Sequence, residues 1–144
     1  MHYMMILKSS RHCEAGHRPA ESVLAAIRHY TQELRKAGVL VELSRLHPSS
    51  KGARVRLSGT NRVVMDGPFA ETKELVGGYW IIETKSLGEA IEWAKRVPAP
   101  PADAEEAEIE IRQFQEVEEF VPGEFADPAS RQGKEMAKTQ KESR

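Results

Sequence analysis

Short apolar segments separated by polar turns predict a chain built from β-strands and two helices. Residues 2–8 and 78–84 are apolar at consecutive positions, so each predicted strand presents hydrophobic side chains on both of its faces. Residues 39–46 and 107–115 instead alternate between apolar and polar side chains, which is typical of strands with one buried face. We therefore expect four strands of one sheet, two of which need cover on both faces.

Two segments carry the spacing of an amphipathic helix. The first begins near Pro19, which suits the first turn of a helix, and Gly38 is placed to end it. Its apolar positions recur every three or four residues, at Val23, Ile27, Tyr30, Leu34 and Ala37. The second helix covers residues 87–97, because a capping box at Ser86-Leu87-Gly88-Glu89 precedes it and Pro98 ends it.

The segments between these elements contain turn residues. Residues 54–57 and 62–65 are short β-rich runs on either side of Ser58-Gly59-Thr60-Asn61, which indicates a β-hairpin. Residues 9–18 are polar and contain Gly16, so we expect a loop there.

The predicted elements follow the order strand, helix, strand, hairpin, strand, helix, strand. Without the hairpin this is βαββαβ, the ferredoxin-like plan, in which both helices cover one face of an antiparallel sheet. The predicted fold class is therefore α+β, ferredoxin-like with an inserted β-hairpin. Since no third long helix is available for the other face, we expect a second copy of the chain to cover it as a homodimer. We expect that contact to hide Met5 and Ile82 from water.

The C-terminal part of the chain has a different composition. Residues 99–102 contain two prolines and form a stiff connector before the last strand. We predict one domain over residues 1–118 and a polar tail over residues 119–144, which has too few apolar side chains to offset its ordering entropy and is expected to be disordered. The alternative is a short helix near residues 130–140 that docks on a partner subunit. A charged, flexible tail would also suit docking to a protein partner.

Composition excludes several classes of function. With 21 basic and 22 acidic side chains in 144 residues, the formal net charge is -1, which argues against direct contact with nucleic acid or an anionic membrane. Cys13 is the only cysteine, so no internal disulfide can form, which fits a reducing compartment. Neither a signal peptide nor a membrane-spanning apolar run is visible. We expect a cytoplasmic protein without membrane contact.

One stretch of nine residues, Asp66-Gly67-Pro68-Phe69-Ala70-Glu71-Thr72-Lys73-Glu74, resembles the signature of the DGPFAETKE (DGPF-domain) family, part of the YCII-related superfamily. The flanking segments 46–56, 77–80 and 89–94 are similar to that family as well. The resemblance covers residues 1–118 and implies a dimeric α+β barrel. The family's activity is largely unassigned.

Asp66 and His47 are the candidate catalytic residues. Asp66 stands where the hairpin ends, and a carboxylate there could act as a general base; the alternative is an Asx-type turn. His47 ends the second strand, and an imidazole titrates near neutrality, so the two could move a proton at working pH. The resemblance supports the pair, because a His–Asp pair has been proposed as the active site of the superfamily. The alternative for His47 is a polar strand end that faces water.

Further residues are candidates for ligand binding, each with a structural alternative. Phe69 is expected to turn inward as an anchor. Glu71 and Lys73 lie where a helical turn begins, and Lys73 could reach an anionic ligand beside Asp66; the alternative is a solvated turn with local charge pairs. Tyr3 and Trp80 could line a cavity, although packing in the core or in a dimer also explains them.

The sequence gives no support for a cofactor or a metal. His12, Cys13 and His17 supply at most three ligands in one loop, and no second cluster accompanies them. No Gly-rich phosphate loop and no nucleophile elbow occurs.

Three functions stay open. The first is a cofactor-independent enzyme, a lyase or isomerase that transfers a proton on a small organic molecule. The second is a non-catalytic regulatory module, since the resemblance implies association with alternative sigma factors and transcription. The third is a ligand sensor without turnover. Whether the protein is an enzyme is not decided by its sequence.

Overall fold

The structure is a computed structural model that describes residues 1–101 and 103–116 of the chain. Six strands and three helices follow one another along these residues. The strands are β1 (His2–Lys8), β2 (Leu40–Arg45), β3 (Ala53–Ser58), β4 (Asn61–Asp66), β5 (Val76–Glu83) and β6 (Ile109–Gln113). The helices are α1 (Arg11–Glu14), α2 (Glu21–Lys36) and α3 (Leu87–Lys95), with short 3-10 turns at Ser49–Lys51 and Thr72–Glu74. The predicted tail, residues 119–144, lies outside the described residues.

Four of the strands form one antiparallel sheet with the order β2-β5-β1-β6. This is the strand order of the ferredoxin-like plan, so the α+β class and the βαββαβ order predicted from the sequence are confirmed. Among the residues that the structure describes, strands β3 and β4 pair only with each other; they form the predicted hairpin, between β2 and β5 in the chain.

The core lies between this sheet and the two long helices. On β1 and β5 the side chains alternate, and Tyr3, Met5, Trp80 and Ile82 share one face because Tyr3 is paired with Ile82 and Met5 with Trp80. The helices cover that face: the ring of Tyr30 on α2 meets the ring of Trp80 edge-on, with centroids 5.8 Å apart. The other fully packed members of the core are Leu34, Val39 and Ala90.

Two core residues lie on a different face from the one predicted. Met5 and Ile82 were expected in the contact with a second copy, but both are 0% exposed within one chain because the helices cover them. Their neighbours along each strand point the other way. Met4, Ile6, Tyr79 and Ile81 are half-buried and form the open face of the sheet.

Both long helices begin and end for local reasons. Gly38 follows α2 with φ of 69°, a left-handed conformation that glycine adopts without steric cost. At α3 the Ser86 hydroxyl accepts a hydrogen bond from the Glu89 amide at 3.1 Å, and the Glu89 carboxylate accepts from the Lys85 amide at 3.0 Å. The glutamate therefore reaches one residue further back than in the usual capping box. No helix among the described residues has the length and apolar character needed to cross a membrane.

The prediction of a loop over residues 9–18 is wrong in one respect, because this segment contains the short helix α1. Ser10 caps this helix: its hydroxyl accepts a hydrogen bond from the Cys13 amide at 3.1 Å. One helical turn has no room for an apolar stripe, so hydrophobic periodicity gave no sign of it. Its last residue, Glu14, is important for the candidate site.

Tyr30 links the two long helices and provides a pH-dependent test of the core. Its hydroxyl donates a hydrogen bond to the carbonyl of Trp93 at 2.7 Å, and burial raises the pKa of Tyr30 from 10.0 to about 12, although the charge of Arg96 opposes this rise. The folded state thus holds the proton more tightly than the unfolded state. This contribution is fully present below pH 10 and is lost as the pH rises toward 12, by roughly 2–3 kcal/mol.

We expect the free energy of unfolding of the wild type to fall more steeply between pH 10 and 12 than that of Tyr30→Phe. Below pH 10 the variant should be less stable by about 1 kcal/mol, since it lacks the bond to Trp93. Urea denaturation at a series of pH values measures both quantities. Parallel curves for the two proteins above pH 10 would show that Tyr30 is not the group responsible.

Candidate functional site

One end of the sheet brings the signature loop, defined here as residues 66–74, against three strands. The amide of Ser9, just after β1, donates to the carbonyl of Leu75 at 2.8 Å. The amide of Leu46, just after β2, donates to the carbonyl of Gly77 in β5 at 2.9 Å. The ends of β1 and β2 and the start of β5 therefore meet beside the loop, and we call this region the signature edge.

A hydrogen-bond network through Glu14 and Ser49 fixes the signature loop. The Ser49 hydroxyl donates to the Glu14 carboxylate at 2.6 Å, and the same hydroxyl accepts from the amide of Phe69 at 3.0 Å. The Ser49 amide also donates to both oxygens of that carboxylate at 3.2 Å, and the hydroxyl of Ser9 donates to it at 3.4 Å. Bonds to an ionised carboxylate are stronger than those between neutral groups. Helix α1 and the segment after β2 thus hold the loop together.

Gly67 makes the closest backbone contact in the loop. Its amide donates to the carbonyl of Gly52 at 3.0 Å, and a Cβ added at Gly67 would lie 1.7 Å from the carbonyl oxygen of Ser49. Gly67 does not have a positive φ, so glycine is needed at this position because the Ser49 backbone leaves no space for a side chain.

His47 and Asp66 lie at the signature edge without touching each other. His47 comes two residues after the end of β2, Asp66 is the last residue of β4, and both side chains are exposed. Among the described residues no ion pair joins them, and the Asp66 carboxylate has no hydrogen bond to a backbone amide that would make an Asx turn. Each is nevertheless close in sequence to the contact of Ser49 with Gly67 and Phe69. Their catalytic role stays a prediction.

The three loop residues predicted to bind a ligand have different environments. Phe69 is half-buried, and the guanidinium of Arg54 lies over its ring, 3.9 Å from the ring centre. Glu71 and Lys73 are exposed, at and within the 3-10 turn Thr72–Glu74 that confirms the predicted helical turn. No ion pair involves Glu71 or Lys73 within the described part of the chain. A role of these residues in binding a ligand stays a prediction.

Tyr3 and Trp80 lie away from the signature loop in the core. Tyr3 is six residues from Ser9 along β1, which at the rise of an extended strand puts it about 20 Å from the signature edge. Trp80 is 5% exposed and faces the helices, and its indole Nε1 has no hydrogen-bond partner among the described residues. The structure thus does not bring Tyr3 together with Asp66, and a ligand role for either aromatic residue stays a prediction.

The sequence did not predict the two residues that fix the loop. In the sequence Glu14 is one of several polar residues in the stretch 9–18, and Ser49 belongs to the flank that resembles the family, without a predicted role of its own. A local signal was available for Glu14, because Ser10 is a good N-cap residue and Glu14 follows it by one helical turn. Nothing local connects Ser49 to Glu14 across 35 residues.

The loop cluster of His12, Cys13 and His17 does not form a larger site. The rings of His12 and His17 have their centroids 5.0 Å apart. Over residues 1–101 and 103–116, no three His, Cys, Asp or Glu side chains are arranged to hold a metal ion. Lone histidine pairs at the surface supply too few ligands for a structural zinc site.

Comparison with known proteins identifies the family. Residues 1–115 match the family described as YCII-related domain, which confirms the resemblance at the level of the superfamily. A protein of Rhizobium meliloti (strain 1021), described as uncharacterised, is 39% identical over 75 residues. That match covers 52% of this chain and 60% of the relative, so the chain spans less than two thirds of the relative's length. Because the family match covers most of the sequence, the chain belongs to the YCII-related domain family.

Proposed function

We propose that the protein is a cofactor-independent enzyme that transfers a proton on a small organic molecule at the signature edge. Asp66 is the general base, and His47 is the acid that returns the proton, as a lyase or isomerase requires. The observation that supports this is the network of Glu14, Ser49 and Phe69, which fixes the loop next to both residues. A rigid frame around exposed titratable groups is what proton transfer needs.

The separation of the two side chains suits reaction on a bound molecule. His47 and Asp66 are both exposed, and no ion pair joins them among the described residues, so a proton would pass between them by way of a bound molecule. A small molecule bound beside the contact between Ser49 and Gly67 would lie near both residues, since His47 is two residues from Ser49 and Asp66 is next to Gly67. Asp66 would remove a proton from carbon next to a carbonyl group, and His47 would deliver one.

Exchange of substrate hydrogen for deuterium tests this proposal without knowledge of the natural substrate. The probes are small 2-oxo and 3-oxo acids in D₂O, followed by proton NMR. We expect the wild type to accelerate exchange of at least one probe, and Asp66→Asn to lower that rate by about 100-fold or more. Asp103→Asn, which removes an exposed carboxylate outside the site, should keep the wild-type rate.

Equal rates of deuterium exchange for wild type and Asp66→Asn would show that Asp66 is not the general base. If a probe binds saturably and stabilises the protein but no exchange occurs, the alternative function, a non-catalytic ligand-binding or regulatory module, is favoured. His47→Gln separates the two roles. Loss of net isomerisation with retained exchange would assign His47 to the return of the proton.

We also propose that the open face of the sheet packs on a second copy of the chain. Met4, Ile6, Tyr79 and Ile81 lie at the centre of this face, and charged pairs surround them. The ion pairs at its edges are Lys8–Glu110 at 3.4 Å and Arg112–Glu110 at 3.3 Å, and the His2 ring lies 3.7 Å from the Glu83 carboxylate. An apolar centre with a polar rim is the usual anatomy of a protein interface. A single-chain mass at micromolar concentration would contradict this proposal.

A further inference from the structure

The two faces of the β3–β4 hairpin carry different chemistry. Directly paired residues share a face, and Arg54 is paired with Met65 and Arg56 with Val63. These four residues therefore form one face, which we call the arginine face. Asp66 is paired with Ala53 and belongs to the other face.

Arg54 is held in place by the signature loop. Its guanidinium lies over the ring of Phe69 at 3.9 Å, and the amide of Phe69 is bound by the Ser49 hydroxyl at 3.0 Å. Ser49 is in turn bound to Glu14. A contact between a guanidinium and an aromatic ring uses none of the N–H groups in a hydrogen bond, so these groups stay available for an acceptor. Because the ring beneath it is fixed, Arg54 is positioned before any ligand arrives.

The charges of the arginine face are not neutralised by the described part of the chain. Within residues 1–101 and 103–116 no carboxylate forms an ion pair with Arg54 or Arg56, whereas Arg28 pairs with Glu21 at 2.6 Å. Among the described residues, the Arg56 guanidinium donates only to the sulfur of Met65 at 3.7 Å, a weak acceptor. Two like charges two residues apart on one strand face repel each other. An anion placed between them would relieve that repulsion.

We propose that the arginine face is a binding site for an oxyanion, either the carboxylate or the phosphate group of a small ligand. Arg54 supplies the bidentate contact, Arg56 adds charge, and Phe69 keeps Arg54 in place. This site goes beyond the proposed proton transfer and does not require it, because Asp66 lies on the opposite face of the hairpin.

Titration with simple anions tests the site directly. The probes are inorganic phosphate and malonate, added to the full chain at constant ionic strength, and the readout is the NMR signal of the arginine Nε–H groups. We expect saturable changes in chemical shift that are confined to the signals of Arg54 and Arg56. In Arg54→Ala the dissociation constant should be about ten-fold larger than in the wild type. Tighter binding of phosphate assigns a phosphate group to the ligand, and tighter binding of malonate assigns a carboxylate.

Arg62→Ala is the matched control. Arg62 lies on the same hairpin and carries the same charge, but its side chain is bonded to the carbonyls of Gly59 and Asn61 at 2.8 and 2.9 Å. This variant should change the affinity by less than about two-fold. If Arg54→Ala and Arg62→Ala weaken anion binding equally, the anions are attracted by the overall positive charge of the hairpin and the proposal is overturned. Binding that does not saturate with either probe would also overturn it.

The variant Arg54→Lys tests whether anion binding depends on the planar shape of the guanidinium or only on its positive charge. Lysine keeps the positive charge but has neither the planar fork nor the same stacking on Phe69, so we expect its affinity to resemble that of Arg54→Ala. Wild-type affinity in Arg54→Lys would overturn the assigned bidentate contact. These measurements use binding alone, so they are independent of whether Asp66→Asn changes any exchange rate.

Discussion

Replacing Gly67 by alanine is expected to destabilise the protein by about 3 kcal/mol, because backbone atoms fill the space that the new methyl group needs. The added Cβ would lie 1.7 Å from the carbonyl oxygen and 2.6 Å from the carbonyl carbon of Ser49. A side chain could rotate away, but these atoms belong to the main chain. Either β4 or the segment around Ser49 must move, and both carry the hydrogen bonds that fix the loop.

The effect should be concentrated in the signature loop. Displacement of Ser49 breaks its bond to the Phe69 amide, and displacement of Gly67 breaks its bond to the Gly52 carbonyl. Urea denaturation measures the loss of global stability. Hydrogen exchange at the amides of Phe69 and Gly67 measures the local opening, which we expect to increase in the variant.

Gly52→Ala is a matched control for the Gly67 substitution. A Cβ at Gly52 would meet the same carbonyl oxygen of Ser49, but at 3.5 Å, an ordinary contact distance, and its φ of -116° is accessible to alanine. We expect Gly52→Ala to change stability by less than about 1 kcal/mol, and a small gain is consistent with reduced entropy of the unfolded chain. Equal losses in the two variants would contradict the steric explanation.

The elements of the main sheet and both long helices could be predicted because their signals are local. The apolar run at residues 2–8 gave β1, and the periodicity from Val23 to Leu34 gave α2, since regular spacing depends only on the geometry of the element itself. The turn Ser58-Gly59-Thr60-Asn61 gave the hairpin for the same reason, and Gly59 has the expected positive φ of 58°.

Which face of the sheet each residue occupies could not be predicted. Where a strand is apolar at consecutive positions, alternation no longer distinguishes the two faces, and Met5 is as hydrophobic as Met4. The assignment depends on which face the helices cover, and this is set by contacts distant in sequence. Tyr30 against Trp80 is one such contact.

The candidate site could be located from its sequence, but its construction could not. The signature stretch identified the loop, and the β-propensity of residues 62–65 placed Asp66 at the end of a strand. The network of Glu14, Ser49 and Phe69 joins three separate segments by hydrogen bonds between residues that are distant in the sequence. Such a hydrogen bond leaves no periodic pattern of residues in the sequence, so it can be found only in the folded structure.

Ile82→Ala is expected to cost about 3–4 kcal/mol of unfolding free energy, because it leaves a cavity in the closed core. Ile82 is 0% exposed and lies among Tyr3, Leu34 and the other core residues. Its neighbour Ile81 has the same side chain in the same strand and differs only in facing the open side of the sheet. Ile81→Ala is therefore a control in which the change in β-propensity is the same.

The comparison of the two isoleucines also tests the proposed contact with a second copy. Within one chain, Ile81→Ala removes a half-buried side chain and should cost only about 1 kcal/mol. If two sheets pack through Met4, Ile6, Tyr79 and Ile81, the loss becomes larger and depends on protein concentration, since association then stabilises the fold. Ile81→Lys should then yield single chains in sedimentation equilibrium while the core around Ile82 stays folded, because it would place a lysine charge among the apolar side chains of that contact. If wild type and Ile81→Lys both sediment as single chains, and the cost of Ile81→Ala is independent of concentration, the open face does not bind a second copy.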